Sequence, residues 1–247
     1  GIAFNREVNG QVLEFGTTGL LRFSNLIMYD RTTESWWQQA TGRAIAGDYT
    51  GTRLEILPIQ LVNWNLVRDQ HQDAVVLSRD TGVSRPYGRN PYTNYDSSAR
   101  PFLFQGPMNG DNPPMDRVIV VDTEARQVAV TYDEARENGF VERAAGDENL
   151  VFLWEENTAS ALDAGQVGAG RAVGTVNVFY ARVDGRDLTF HRRRGRIRDR
   201  ETGSVWNPLG YAVRGPLEGQ RLEPAPSIQH FWFSYAAFAG EYRAPRP

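Results

Sequence analysis

Alternating apolar and polar residues near both ends of the chain predict short β-strands. Asn9–Gly10 lies between Val8 and Leu13, and Asp184–Gly185 lies in a similar apolar setting near the other end. An Asn-Gly or Asp-Gly pair between alternating apolar residues is a strong hairpin signal, because both central residues need a positive φ. Two tight β-hairpins are therefore predicted, one near each end.

Other apolar stretches predict further strands and one short helix. Residues 20–29 are expected to form a strand or a strand pair broken at 24–25, and residues 150–154 another strand. A hairpin is expected from residues 118–121 and 127–132 around 123–126. Apolar positions in residues 61–70 are compatible with a short helix. Because helix is scarce elsewhere, the predicted fold class is mainly β.

The same pattern of residues occurs twice. In the first copy it reads Asp30-Arg31-x-Thr33-x-Ser35-x-Trp37, Gly42, Ala44, Gly47, Gly51, Arg53-Leu54-Glu55 and Pro58. In the second copy it reads Asp199-Arg200-x-Thr202-x-Ser204-x-Trp206, Gly210, Ala212, Gly215, Gly219, Arg221-Leu222-Glu223 and Pro226. Self-similarity of this density indicates a duplicated structural unit. We expect two pseudo-symmetric β-rich repeats packed as one body with few short helices.

Three segments follow from this duplication. Residues 1–78 form the first β repeat, residues 79–175 a central part, and residues 176–247 the second β repeat. Within the central part, residues 79–116 are rich in Pro, Gly, Asn, Asp and Tyr and have no counterpart in the second copy. A loop this long usually indicates function or disorder. Residues 155–174 are expected to be an exposed connection.

Composition excludes several classes of chemistry. The chain has no cysteine, and all 27 basic residues are arginine. Disulfides, thiolate metal sites, cysteine nucleophiles, Schiff bases and P-loops are therefore excluded. A formal net charge of -3 gives no reason to expect nucleic acid. No apolar stretch approaches the roughly 18 residues of a transmembrane helix, so no transmembrane segment is predicted.

The repeated Asp-Arg-x-Thr-x-Ser-x-Trp motif has two interpretations. Asp30 and Asp199 could meet at a two-fold pocket, or each could cap a structural turn while the tryptophan fills the core. The structural interpretation is favoured, since a duplicated fold is more common than a duplicated active site. Ser35 and Ser204 have no neighbouring histidine in the sequence, which argues against a serine nucleophile.

The asymmetric loop supplies most candidate binding groups. They are Arg85, Tyr87, Arg89, Asn90, Tyr92 and Tyr95, with Asp80 and Asp96 as nearby carboxylates. Arginine binds carboxylates or phosphates, and tyrosine combines apolar area with a polar tip. The alternative is a structural strap whose tyrosine hydroxyls are satisfied by backbone groups. The sequence leaves both open.

Residues 191–200 hold six arginines, among them Arg192, Arg194 and Arg196. Such a run can contact an acidic partner protein or an anionic surface. Alternation of arginines with other residues equally fits the solvated face of a strand. We expect a solvated or partner-facing strand.

Other candidate groups carry weaker signals. His71, His191 and His230 are dispersed and lack metal-ligand spacing, so no metal or cofactor is predicted. Asp30, Asp80, Asp96 and Asp199 could supply an acid-base pair, which depends on separations that sequence does not give. Trp36, Trp37, Trp64, Trp206 and Trp232 could stack on sugars, but most are expected in the core.

An ordered set of motifs resembles the bacterial and archaeal family catalogued as domain of unknown function 3179. The motifs are Met28-Tyr29-Asp30-Arg31, Val76-Leu77-Ser78-x-Asp80-Thr81-Gly82, Asn90-Pro91-Tyr92-x-x-Tyr95, Thr202-Gly203-Ser204-x-Trp206 and Phe231-Trp232-Phe233. The resemblance covers nearly the whole chain and implies an extracytoplasmic protein, periplasmic or extracellular, with an export signal. Members often carry a Cys-Pro-Leu-Cys-like stretch just before the segment where this chain begins, and the family's usual His-Pro is His71-Gln72 here.

Two functions follow as hypotheses. The leading one is an extracytoplasmic binding or accessory module that recognises a partner protein or ligand, or joins a larger assembly, without established catalysis. Its contact surfaces would be residues 85–96 and 192–200. The alternative is an enzyme, possibly a hydrolase, that uses Asp80, Arg85, Tyr87 and Tyr92 with Asp30 or Asp199 in a cleft between the two lobes.

Overall fold

A computed structural model describes residues 1–108, 110–123 and 126–242, and for Tyr242 the backbone alone. The first strands are β1 (Ala3–Phe4), β2 (Glu7–Val8), β3 (Gln11–Val12), β4 (Phe15–Arg22), β5 (Asn25–Asp30), β6 (Trp36–Gln38), β7 (Arg43–Ala46) and β8 (Ile56–Leu57). The central strands are β9 (Arg117–Asp122), β10 (Gln127–Thr131), β11 (Phe140–Ala145), β12 (Glu148–Glu155) and β13 (Thr175–Tyr180). The last strands are β14 (Arg182–Val183), β15 (Arg186–Asp187), β16 (Phe190–Arg193), β17 (Arg196–Asp199), β18 (Val205–Trp206), β19 (Ala212–Arg214) and β20 (Ile228–Phe231). The α-helices are α1 (Trp64–Gln70), α2 (Tyr132–Asn138) and α3 (Trp232–Tyr242). The protein is mainly β, as predicted.

Two four-stranded antiparallel sheets have the same simple topology. One runs in the order β4-β5-β6-β7 and the other in the order β16-β17-β18-β19. A two-stranded hairpin precedes each sheet, β2–β3 in one case and β14–β15 in the other. The hairpin turns lie at Asn9–Gly10, with φ of 52° and 77°, and at Asp184–Gly185, with φ of 50° and 74°. Both predicted hairpins are confirmed.

The tip of each four-stranded sheet is a further tight hairpin. Phe23 and Ser24 connect β4 to β5 with φ of 50° and 57°, and Arg194 and Gly195 connect β16 to β17 with φ of 51° and 76°. Residues 20–29 are therefore a strand pair, as one of the two alternatives predicted. Its turn lies one residue earlier than expected.

Two three-stranded antiparallel sheets occupy the middle of the molecule, β10-β9-β20 and β11-β12-β13. Their buried faces share one core, which includes Ile119, Val130, Phe152 and Val178. The strand predicted for residues 127–132 ends at Thr131, where helix α2 begins. Glu124 and Ala125 of the predicted turn lie outside the described residues.

The helices were only partly predictable. The short helix expected within residues 61–70 is α1, and the Asn63 side chain caps it by accepting a hydrogen bond from the Asn65 N–H. Helix α2 was missed, although Thr131 accepts the Glu134 N–H at one end and Gly139 adopts φ of 81° at the other. Both residues are recognised helix-boundary signals.

The asymmetric loop packs on the connection between β12 and β13. Asn90 N donates to Gly165 O at 3.0 Å, and Asn94 N donates to Asp163 O at 2.7 Å. Thr158 and Ser160 of this connection are buried. The expectation of an exposed connection is therefore wrong for these residues. Ser160 is buried against the loop, where its hydroxyl donates to Asp96 Oδ2, and the Thr158 hydroxyl donates to Glu155.

Candidate functional site

The first copy of the repeated motif is a buried turn. Asp30 is fully buried, and its Oδ2 accepts a hydrogen bond from Trp37 Nε1 at 3.0 Å. Its Oδ1 accepts the Thr33 N–H at 2.7 Å. Burial alone would raise the pKa of Asp30, but the hydrogen bonds from Trp37 and Thr33 outweigh burial and lower it. Asp30 is thus a charged hydrogen-bond acceptor at neutral pH, and it fixes the turn to the core tryptophan.

The second copy makes corresponding contacts. Asp199 is also fully buried, and its Oδ2 accepts Trp206 Nε1 at 2.9 Å while its Oδ1 accepts the Thr202 N–H at 2.5 Å. Thr202 Oγ1 lies 2.7 Å from Ser204 Oγ, the same distance that separates Thr33 Oγ1 from Ser35 Oγ. These contacts are the ones that the structural interpretation expects.

The exposed part of the asymmetric loop carries four of the candidate residues. Asp80, Arg85, Tyr87 and Arg89 all lie on the surface. Tyr87 Oη lies 2.7 Å from Thr81 Oγ1 within the same loop. These four side chains, like Asp30 and Asp199, line none of the grooves described below. The loop candidates and the two buried aspartates do not form one cluster.

Asn90 and Asp96 attach the loop to the body. Asn90 Nδ2 donates to Ala164 O at 3.1 Å, and its Oδ1 accepts the Tyr92 N–H at 2.8 Å. The Asp96 side chain is only 1% exposed and forms ion pairs with Arg117 at 2.6 Å and Arg171 at 3.1 Å. Burial tends to raise the pKa of Asp96, but Ser160, Arg117 and Arg171 together lower it. Asn90 and Asp96 therefore both make hydrogen bonds or ion pairs that attach the asymmetric loop to the body.

Tyr92 and Tyr95 line an apolar groove between the loop and the β4–β5 hairpin. Its volume is about 1000 Å³. The groove is lined by Leu21, Phe23, Ser24, Asn25, Leu26, Gln39, Tyr92, Tyr95, Phe102, Leu103, Gln105, Gly106 and Leu162. None of these described lining residues is charged. We call this feature the apolar groove.

The rim of the apolar groove exposes large side chains to solvent. Leu21 is 63% exposed, Tyr92 61%, Phe102 71% and Leu103 73%. Its base is more firmly packed, because the Tyr95 ring contacts the Phe231 ring with centroids 5.9 Å apart. Sequence reasoning identified the two tyrosines but missed Leu21, Phe102 and Leu103, which lie in distant or unpatterned segments.

The arginine hairpin, β16–β17, borders a second groove of about 710 Å³. Arg192 and Arg196 line it with Trp206 and Arg214, whereas Arg194 lies exposed at the hairpin tip. Arg192, Arg193, Arg194 and Arg196 form no ion pair with any residue that the structure describes. This hairpin thus offers unpaired guanidinium groups to solvent.

A smaller polar pocket of about 320 Å³ lies beside the ion pairs of Asp96, and sequence reasoning missed it. Asp116, Arg117, Tyr132 and Asp133 are among its lining residues. Burial and the nearby Asp133 charge raise the pKa of Asp116. A single aspartate at the end of a long loop gives no sequence signal for this environment.

The histidines lie apart from one another. His71 Nε2 is 3.4 Å from Tyr211 Oη, and burial lowers the pKa of His230 to about 3. His191 is half-buried on β16. The described part of the chain contains no cluster of three or more His, Cys, Asp or Glu side chains arranged to hold a metal ion.

The tryptophans divide between the core and the surface. Trp37 and Trp206 are buried, as expected, but Trp36 is 40% exposed and Trp64 is 48% exposed. The core expectation is therefore wrong for Trp36 and Trp64. Trp64 begins α1, a helix with no buried residue.

Comparison with protein families identifies the relationship. A family model described as "Protein of unknown function (DUF3179)" matches residues 1–242. The chain belongs to the DUF3179 family. The resemblance inferred from the sequence motifs is confirmed. Comparisons of this DUF3179 protein with curated proteins and with solved structures found no match. Its described helices include none that is long and apolar enough to cross a membrane.

Proposed function

We propose that this DUF3179 protein is a binding module that recognises a partner protein or ligand through the apolar groove. One observation carries the proposal: an uncharged groove of about 1000 Å³ has a rim of exposed large apolar side chains. Apolar surface gathered in one place on a protein marks an interaction site more often than isolated exposed residues do.

The size of the rim is adequate for specific binding. Each large apolar side chain that leaves water contributes about 1.5–3 kcal/mol. Leu21, Phe102 and Leu103 together can therefore offset much of the free-energy cost of association, which is about 4–15 kcal/mol. Tyr92 adds an aromatic face with a hydroxyl group, a side chain enriched at interfaces.

The groove is supported by fixed structure on both walls. On the hairpin side, Asn25 Oδ1 accepts hydrogen bonds from Gln38 Nε2 at 2.7 Å and from the Ala40 N–H at 2.8 Å. On the loop side, Asn90 and Asp96 anchor the chain just before and after Tyr92 and Tyr95. A preformed site loses less conformational entropy on binding, which favours affinity.

The arginine hairpin is the second contact surface of the proposed module. Its unpaired guanidinium groups suit an anionic surface on the partner, where charge complementarity increases the rate of association. A partner with a stretch of apolar residues and an acidic patch would bind both the apolar groove and the arginine hairpin.

We also propose that the module acts outside the cytoplasm, in the periplasm or extracellularly. The support is the character of the family that the sequence motifs resemble. Cell fractionation of the native host followed by immunodetection tests this location. Detection of the protein in the cytoplasmic fraction alone would contradict it.

Substitution of one rim residue tests the proposed function. Leu103→Asp places a charge in the apolar groove, whereas Val12→Asp changes a residue that is 59% exposed and lies outside the groove. We expect wild type and Val12→Asp, purified from the native host, to carry the same bound protein or molecule, and Leu103→Asp to have lost it. Identical composition of all three samples by mass spectrometry, together with an identical oligomeric state of all three, would contradict the proposal.

A further inference from the structure

An extended segment just before the asymmetric loop projects its apolar side chains into solvent. Val75 is 93% exposed, Val76 69% and Leu77 99%. With Ala74 and Ser78 the run contains no charged residue. We call residues 74–78 the apolar segment.

Most of the backbone of the apolar segment is also without hydrogen-bond partners among the described residues. Ala74 N donates to His71 O at 3.1 Å, but Val75, Val76 and Leu77 make no backbone hydrogen bond to any described residue and belong to no strand. β-branched residues with free N–H and C=O groups are characteristic of a strand that pairs with another chain. This segment therefore has both the side chains and the backbone groups of an interface element.

The described chain has three places where large exposed apolar residues are consecutive. They are Leu20–Leu21, of which Leu21 lines the apolar groove, Phe102–Leu103, which lines it too, and Val75–Leu77, which is the apolar segment. Two of the three runs thus contribute to the groove, and the third is the exposed apolar segment. Among the described residues, these runs of exposed apolar side chains thus divide between a groove and an extended segment of matching chemistry.

Charge also restricts what the groove can accept. A charged side chain buried in the uncharged groove would lose hydration without gaining a partner charge. An uncharged run with valine and leucine side chains satisfies this restriction. The open edge of β4, the outer strand of its sheet, offers backbone groups beside the groove.

We propose that the apolar segment of one copy of this chain binds the apolar groove of a second copy. Two such contacts, made reciprocally, close a symmetric dimer. This inference rests on the proposed function of the groove and names its occupant.

Analytical ultracentrifugation of the full chain and three variants tests the inference. Leu77→Asp alters only the segment, Leu103→Asp alters only the groove, and Val12→Asp is the control with a charge elsewhere on the surface. We expect wild type and Val12→Asp to sediment as dimers, with a molar mass twice the 27.8 kDa of the chain, and Leu77→Asp and Leu103→Asp to sediment as monomers. Circular dichroism should show all four folded, because each altered side chain is exposed.

Mixing the two monomeric variants provides a sharper readout. Leu77→Asp retains an intact groove, and Leu103→Asp retains an intact segment, so an equimolar mixture should form a heterodimer held by one contact. Its dissociation constant should exceed that of wild type by at least tenfold. A mixture that stays monomeric, or a Leu77→Asp variant that still dimerises alone, would overturn the inference.

The outcome also separates this inference from the proposed function. If wild type is monomeric at every concentration while Leu103→Asp still loses its native partner, the groove binds a different molecule and only the inference fails. If the protein is monomeric and Leu103→Asp retains every native partner, both fail.

Discussion

Asp30 holds the turn of the first repeated motif through hydrogen bonds from Thr32, Thr33 and Trp37. Asp30→Asn replaces an acceptor oxygen by an amide donor, so we expect a loss of about 1–3 kcal/mol in the free energy of unfolding at pH 7. Because the folded-state pKa lies below the ordinary value of 3.8, this stabilisation is complete above about pH 4 and is lost as the pH falls through the folded pKa. The difference in the free energy of unfolding between wild type and Asp30→Asn should therefore be smaller at pH 3 than at pH 7.

Urea denaturation at pH 7 and at pH 3 measures the free energy of unfolding of wild type and of Asp30→Asn. Asp80→Asn, which alters an exposed carboxylate, serves as the control and should leave stability unchanged. If the free energies of unfolding of wild type and Asp30→Asn differ by the same amount at both pH values, the stabilising role of the charged Asp30 carboxylate is contradicted.

Two glycines in the first sheet have nearly the same backbone but different surroundings. Gly47 has φ of 92° and a Cβ there would lie 2.6 Å from Ser35 Oγ, whereas Gly51 has φ of 93° and open space. Gly51→Ala should cost about 1–2 kcal/mol from the left-handed backbone alone. Gly47→Ala should cost about 1–3 kcal/mol more, from the overlap with Ser35. Thermal unfolding of the two variants measures these losses of stability. Equal losses for Gly47→Ala and Gly51→Ala would contradict the close approach of Gly47 to Ser35.

At the residue scale, sequence predicts roles that depend on local contacts. The turn role of Asp30 and Asp199 could be argued from spacing, because their partners lie within a few residues. Asn90 and Tyr92 could not be separated into a structural and a groove residue. Their difference depends on Ala164 and Leu103, whose positions only the fold determines.

At the element scale, the anchor of the asymmetric loop is the Asp96 ion-pair cluster. Asp96→Ala leaves Arg117 partly buried without its carboxylate, so we expect a loss of roughly 1.5–3 kcal/mol. Amide hydrogen exchange in residues 90–98 should increase, while exchange in the sheet β11-β12-β13 should change little. Unchanged exchange in residues 90–98 would show that other contacts hold the loop.

The arginine hairpin should act through charge. Arg194→Glu should weaken association with an acidic native partner at low salt and have little effect at 0.5 M salt, because screening shortens the range of the interaction. Arg186→Glu, on the exposed β14–β15 hairpin, is the matched control. Equal effects of both changes, or no dependence on salt, would contradict a specific arginine surface.

Hairpins were predicted better than helices because their turns have a more specific sequence signal. Asn9–Gly10 and Asp184–Gly185 require positive φ, which few residue pairs adopt readily. Helix α3, in contrast, follows β20 without a break, and its apolar residues read equally well as a buried strand.

At the scale of the whole molecule, ion pairs of two arginines join the part of the chain from residues 1–57 to the rest of the protein. Arg53 pairs with Asp122 of β9 at 2.7 Å, and Arg22 pairs with Glu241 of α3 at 2.5 Å. The Arg22 guanidinium also lies 4.9 Å from the centroid of the Phe23 ring, beside the turn that borders the groove. The groove wall is therefore connected to the centre of the protein.

The apolar groove could not be predicted from sequence. Its walls come from residues 21–26 and 92–106, with Gln39 and Leu162 completing it, and no periodicity links these segments. The sequence did indicate that the asymmetric loop was the place to search. What it lacked was the β4–β5 hairpin as the opposite wall.

The most direct test of the groove as a recognition site is photo-crosslinking in native host cells. A benzoyl-phenylalanine placed at position 103 should crosslink to a protein, and the same residue at position 12 should not. Mass spectrometry of the product then identifies the crosslinked protein as a second copy or another chain. Absence of a product from position 103, or equal products from both positions, would contradict the account.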